Sequence, residues 1–328
     1  MLAALFIFAS LASAFICTCK PNGSINELTI YAIKGPSGVG MIRLFEEPPQ
    51  IAGFNVKVEA LAQADLMAAR FISGEAKVGI MPPNMVAKIA SSGRDIQAAA
   101  VIGAGMLSLL SSDPNVRGIE DLRGKTVEVA GQGATPDYVF QTILSAHGFA
   151  PNTDVALGYS LAYPEVAQSL IAGRVSVALL PEPFATMALM GKPDLRRVTD
   201  IQEEWAEAAQ GQGGGNYPMT LLVVDGAFAS ANREALDVIL TAVENSIGWV
   251  RVHPDEAGTL VEKHDLGLKA GIVAAAIPSS NYVFIPAHEA RPSLEVLYGV
   301  FLENDPSSIG GTLPTDGFYL KANGENEK

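Results

Sequence analysis

PEVAQSLIAGRVSVALLPEPF, residues 164–184, carries three signals in succession. Apolar residues recur at helical spacing up to Ile171, Gly173 stops the pattern, and Val175–Leu180 forms a short apolar run rich in β-branched residues before the Pro181-Glu182-Pro183 turn. Such an order reads as helix, glycine C-cap, buried strand and a proline that opens the next helix. The stretch ADLMAARFISGEAKVGIMPPN, residues 64–84, repeats it: a helix ends at Gly74, a strand covers Lys77–Met81, and Met81-Pro82-Pro83-Asn84 makes the turn. Punctuation alone accounts for each proline turn, but two matching units point to two related α/β lobes.

Outward from these units, the short apolar runs continue as Leu28–Ile33, Phe54–Leu61, Ile96–Gly103, Thr126–Gly131 and Met219–Val224, with helical patterns between them. Alternation of this kind predicts an α/β fold with crossover helices and mainly parallel sheets. The 328 residues, 48% of them hydrophobic, suffice for about two domains. Two long helical patterns, Asn232–Val252 and Pro254–His264, follow the last strand. A glycine-rich stretch, Gly211–Gly215, precedes a strand instead of following one and lacks the lysine of a phosphate loop, so it reads as a flexible connection.

A net charge of −13 speaks against nucleic acid or a polyanionic surface as partner. Met1–Ile16 has no charged side chain and is too short to span a bilayer comfortably, which suits the apolar part of a signal peptide. Both cysteines, Cys17 and Cys19, sit just beyond it, ahead of a turn-rich Lys20–Ser24. Three readings compete: cleavage after Ala14 and secretion, lipid attachment at Cys19 or alternatively Cys17, and an uncleaved tail. The lipid-anchored form is favoured, because a cysteine between an apolar run and a tether is similar to a bacterial lipobox. The rest of the chain has no cysteine, so it holds no internal disulfide and no thiolate metal site.

Enzyme constellations are thin. The four histidines show neither HxH nor HExxH spacing, and no nucleophile elbow or Walker pattern occurs. Two turns offer a different chemistry. After the first strand, Gly35-Pro36-Ser37-Gly38 leads into a helix; after Thr126–Ala130, Gly131-Gln132-Gly133-Ala134 leads to Thr135, expected to cap a helix whose first residue is Pro136. Glycines let a backbone approach a ligand, and helix N-termini carry unpaired N–H groups. Ordinary capping is the competing explanation for each turn.

These residues carry a resemblance over nearly the whole mature chain. Lys34–Gly38, Gly74–Asn84, GIEDLRGKTVEVAGQGATPDYV at 118–139, Leu180–Phe184, and Ile277-Pro278 with Asn281–Ile285 resemble the substrate-binding proteins of ABC importers, in the nitrate, taurine, alkanesulfonate and thiamine-pyrimidine branch. The resemblance implies a periplasmic binding protein type 2 fold: two doubly wound α/β lobes with a ligand cleft between them and hinge closure on binding. It implies a signal peptide at 1–19 with a lipobox-like end, a tether at 20–26, a first lobe from 27–105 and 219–328 on which the C-terminal helices pack, and a second lobe from 106–218. Carried over by position, the cleft is lined by Gly35, Pro36, Ser37, Gly38, Pro83, Asn84, Gln132, Gly133, Ala134, Thr135, Glu182 and Met219, with Asn281 a weaker candidate.

The expected partners are a small-molecule ligand, an ABC permease with its ATPase, and a membrane through the lipid anchor; a monomer without cofactor or metal is expected. The eukaryotic pyrimidine synthases on this scaffold use a histidine and a cysteine-rich iron site, which a body without cysteine cannot reproduce, so no enzyme activity is expected. An enzyme of that kind and a ligand-sensing module remain the alternatives. No arginine falls in the candidate turns to clamp a sulfonate, and Glu182 adds a negative charge, which leans toward a neutral or amino-bearing heterocycle such as a pyrimidine. On that view Glu182→Gln spares folding.

Overall fold

The computed structural model describes residues 25–209 and 216–322. The expected signal peptide, both cysteines, most of the tether and the Gly211–Gly215 stretch lie outside the described residues. The strands are β1 (Asn26–Ile33), β2 (Phe54–Leu61), β3 (Val78–Met81), β4 (Ile96–Ala104), β5 (Leu107–Ser111), β6 (Thr126–Val129), β7 (Ala156–Gly158), β8 (Val177–Pro181), β9 (Arg196–Arg197), β10 (Pro218–Asp225) and β11 (Tyr282–Pro286). They form two sheets, in the orders β11-β4-β10-β3-β1-β2 and β7-β6-β8-β5-β9.

The repeated unit forms as its sequence demands. Helix Ala64–Ser73 ends at Gly74 in the left-handed region, with φ 79°, and buries Met67 and Phe71 against β3. A Cβ at Gly79 of that strand would lie 2.8 Å from the Met67 sulfur, so close helix–strand packing requires glycine there. Helix Tyr163–Ile171, Gly173 at φ 71° and β8 repeat the unit in the second sheet. Each of the two strands pairs parallel with a neighbour, β3 with β1 and β8 with β6.

The expectation of mainly parallel sheets needs correction. β10 runs antiparallel to both β3 and β4, β11 antiparallel to β4, and β5 antiparallel to β8 and β9. The reason lies in the connections. β4 passes into β5 through Gly105 and Met106 with no crossover helix, and β10 returns from the other sheet to insert between β3 and β4. Only a strand that arrives by a helical crossover on its own sheet is bound to run parallel. The edge strand β2 shows the clean alternation of a half-buried strand, with Asn55, Lys57 and Glu59 outward.

One hydrophobic core runs through the first sheet and across into the second, and a smaller cluster lies under helices Tyr163–Ile171 and Phe184–Gly191. Helix Ala287–Asn304 packs on β4 and β10 but also on helix Thr135–Ala146 of the second sheet, where Phe301 meets Tyr138 edge-on at 5.2 Å. The C-terminal helices therefore span both halves instead of packing on the first alone. At the crossings, the Gly105 N–H donates to the Tyr217 carbonyl at 2.9 Å, and the Leu107 N–H donates to the Tyr217 hydroxyl at 3.2 Å. Tyr217, fully buried, stands edge-on to Trp205 at 5.7 Å.

Candidate functional site

Three turns at strand ends carry most of the candidate residues. At the end of β1, Gly35 adopts φ 94° and its N–H donates to the Leu266 carbonyl at 2.8 Å, while the Gly38 N–H returns to the Gly35 carbonyl at 3.2 Å. Pro36 begins a four-residue helix, Pro36–Val39, without a side-chain cap. The turn is therefore no open array of donors. It presents the Ser37 hydroxyl, which accepts from Thr220 Oγ1 of β10 at 3.3 Å, beside the Tyr282 hydroxyl of β11, which donates to the Pro36 carbonyl at 3.2 Å. A Cβ at Gly38 would sit 2.4 Å from the Ile33 carbonyl oxygen, which explains the second glycine of the turn.

After β3, Pro82 is extended and helix Pro83–Ser91 begins. The Pro83 carbonyl accepts from the Tyr298 hydroxyl at 3.2 Å, and Asn84 Oδ1 is buried without a hydrogen-bond partner. After β6, the helix begins at Thr135, one residue earlier than expected, with Ala134 as an N-cap that makes no side-chain bond. Thr135 is not the cap. It is 3% exposed, and its Oγ1 also lacks a partner. Asp137 ties the preceding turn to the helix instead: its Oδ2 accepts from the Gly133 N–H at 2.8 Å, so Gly133 offers no free donor either. Tyr298 and Phe301, one turn apart on helix Ala287–Asn304, touch the Asn84 turn and the Thr135 helix respectively. One helix face thus holds turns from opposite sheets together.

Glu182 departs most from its expected part. It is 0% exposed; Oε1 accepts from Arg197 Nη2 at 2.6 Å and Oε2 from the Thr186 N–H at 3.0 Å. Arg197 also donates to Ser108 Oγ at 2.7 Å. The carboxylate is thus matched by a cation that β9 delivers from outside the candidate turns, and the negative charge argued from the sequence is compensated. Burial pushes the Tyr282 hydroxyl up, and the Glu182 charge adds to that shift.

The remaining candidates are less engaged. Gln132 is exposed on its turn, Gly133 and Ala134 are half-buried, and Met219 is half-buried in β10 against the core. Asn281 contributes its carbonyl, which accepts from the Ala104 N–H at 3.1 Å, a link between the β11 and β4 ends. Sequence reasoning missed Thr220, Asp137, Tyr163, Tyr282 and Tyr298. Thr220 had a signal, being the one hydroxyl in the otherwise apolar run Met219–Val224, since a buried polar residue is the informative exception. Tyr163 had none. It stacks on Phe184 at 5.8 Å and 21°, its hydroxyl overlies Gly131, and burial pushes that hydroxyl up to about 12.

This architecture is similar to solved structures over most of its length. An ABC transporter structure from Parabacteroides distasonis superposes with a TM-score of 0.76 at 23% identity, covering 90% of this chain and 99% of that one. The periplasmic aliphatic sulphonate binding protein SsuA from Escherichia coli gives 0.70 at 16% identity, covering 92% and 94%. The periplasmic nitrate-binding protein NrtA from Synechocystis PCC 6803 gives 0.54 at 12%, covering 77% and 70%. None of the curated proteins matches the chain in sequence. The two mixed α/β sheets have the periplasmic binding protein type 2 fold, as the resemblance implied. The NMT1/THI5-like family model matches residues 50–257, from just before β2 through the second sheet and the long helix Arg233–Val252 into the helix that follows it, and the chain belongs to that family.

Proposed function

We propose that the chain is the extracytoplasmic solute-binding component of an ABC importer, capturing a small polar organic molecule between two lobes and delivering it to a permease and its ATPase. The lobes are residues 27–105 with 219–328, and 106–218, and the protein works as a monomer. One observation carries the reading: Asn84 Oδ1 and Thr135 Oγ1, at helix starts of opposite sheets, are both buried and unpartnered. Buried polar groups left without partners call for an explanation, and a ligand bound between them supplies it. Two of the charges near the candidate turns are paired, Glu182 with Arg197 and Lys34 with Asp265. That pairing favours an uncharged, hydrogen-bonding solute such as a pyrimidine-like heterocycle over a sulfonate, and it removes Glu182 as an argument for a cationic one.

Among the described residues no helix is long and apolar enough to cross a membrane. Attachment is assigned to a lipid on Cys19, or failing that Cys17; mass spectrometry that finds an unmodified chain beginning at Phe15 leaves the secreted form. The functional test is calorimetry and thermal shift of the chain against pyrimidines, aromatic amines, amino acids and sulfonates. A saturable ligand whose affinity falls by about 1–3 kcal/mol in Thr135→Val, from a buried ligand group left unpaired, supports the reading. Wild-type affinity in Thr135→Val and Asn84→Leu alike places the site elsewhere. Turnover of a pyrimidine precursor with bound iron would restore the enzyme alternative.

A further inference from the structure

Helix Thr135–Ala146 is twelve residues long, and the start of such a helix draws anions, because its N–H groups and dipole present positive charge there. In this chain the anion position is already filled from within. Asp137, 2% exposed, turns back on the helix start: Oδ2 takes the Gly133 N–H at 2.8 Å, and Oδ1 takes Gln141 Nε2 at 2.6 Å and the Tyr159 hydroxyl at 2.7 Å. No lysine, arginine or histidine among the described residues pairs with it. The cations near the other turns are spent, Arg197 on Glu182 and Lys34 on Asp265. The turn itself is accessible, with Gly131 and Gln132 exposed, and Thr135 at the helix start keeps a buried hydroxyl without a partner. A ligand group that reaches Thr135 therefore meets a helix end whose positive charge a carboxylate already offsets, with no cation beside it.

We propose that Asp137 is a specificity-determining residue that bars anions from this end of the cleft, admitting solutes that present an uncharged or cationic polar group to Thr135. The assignment rests on the cleft being the solute site. It separates this chain from any relative that uses the same helix start to hold an oxyanion: the fold offers the positive helix end, and one carboxylate cancels it.

The test uses the full chain at low ionic strength, where charge effects are least screened. Ethanesulfonate and inorganic sulfate are titrated against wild type, Asp137→Asn and Gln141→Lys, the last placing a cation one turn from the carboxylate without removing it. Wild type is expected to bind neither anion saturably. Both variants are expected to gain roughly tenfold or more in anion affinity, fading as salt is added, as electrostatic complementarity requires. Gln141→Lys keeps the Gly133 bond to Asp137 and decides the matter if Asp137→Asn fails to fold. Ethanesulfonate binding by wild type as tight as by the variants overturns the proposal, as does no gain in a variant with native circular dichroism. Uncharged solutes titrated alongside separate the two failures. Wild type that binds an uncharged solute and ethanesulfonate equally well sinks the role of Asp137 and leaves solute capture standing; wild type that binds no solute sinks capture, and the anion gain of the variants still judges Asp137.

Discussion

Glu182 is anchored on three sides, by Arg197, by the Thr186 N–H and, through its own N–H, by the Met106 carbonyl at the first crossing. A carboxylate so placed organises the junction between β8 and the helix Phe184–Gly191. Removing one partner of a buried pair leaves the other uncompensated and can cost 3–5 kcal/mol, but the Arg197 side chain is 36% exposed and water takes up part of that loss. Glu182→Gln should therefore lower the stability of the ligand-free protein by about 1.5–3 kcal/mol, the range for a charge-assisted hydrogen bond. Urea unfolding without ligand measures it. Unchanged stability combined with a specific loss of affinity would return the carboxylate to the ligand. Much at this scale was illegible in advance: Pro181-Glu182-Pro183 can be read as a turn, but nothing in the turn shows that Arg197 arrives beside it from another strand.

The first crossing is the element on which the two sheets depend. Gly105 adopts φ 43°, and a Cβ there would fall 1.5 Å from Gln202 Nε2 and 2.1 Å from Asn216 Oδ1. Gly53, at φ 80° in the loop before β2, has nothing within 4 Å of such a Cβ. The pair separates backbone strain from crowding. Gly53→Ala should cost about 1 kcal/mol, from the left-handed conformation alone. Gly105→Ala should cost about 2–4 kcal/mol, strain and overpacking together. Equal losses in urea titrations would mean that Gln202 and Asn216 swing aside freely and that the crossing is not closely packed. Element types were legible in the sequence wherever periodicity had room to show: β2, β4, β10 and the long helix Arg233–Val252 stand within a residue of their expected bounds. The two-residue β9 and three-residue β7 carry too little pattern to read.

Across the whole molecule, burial raises seven of the eight tyrosine hydroxyls above their ordinary value: Tyr138, Tyr159, Tyr163, Tyr217, Tyr282, Tyr298 and Tyr319. The sign follows from linkage. A group whose folded value lies above its unfolded value of about 10 binds more protons folded than unfolded between the two, so stability is intact below pH ~10 and declines above it. For Tyr163 the decline runs from there to about 12. Phenolate absorbance is thus expected to lag free tyrosine as pH rises and then to appear in one cooperative step with loss of circular dichroism. Gradual, independent titration with the fold intact would show these hydroxyls to be reachable by water. Four of them, Tyr163, Tyr217, Tyr282 and Tyr298, stand at the candidate turns or the crossings, so the burial of these segments makes the fold alkali-sensitive.

Local order determined what the chain could announce alone: helix, glycine and strand in two copies, prolines after strands, and glycine turns leading into helices. These depend on spacing along the chain and on φ, which neighbouring residues decide. Strand direction, the sharing of helix Ala287–Asn304 between the sheets, the pairing of Glu182 with Arg197, and the burial of Asn84 Oδ1 and Thr135 Oγ1 without partners were left to the tertiary structure. Each joins groups from separate segments, and the energy of a hydrogen bond or charge pair depends on distance and burial that exist only once both sheets have closed around the crossings.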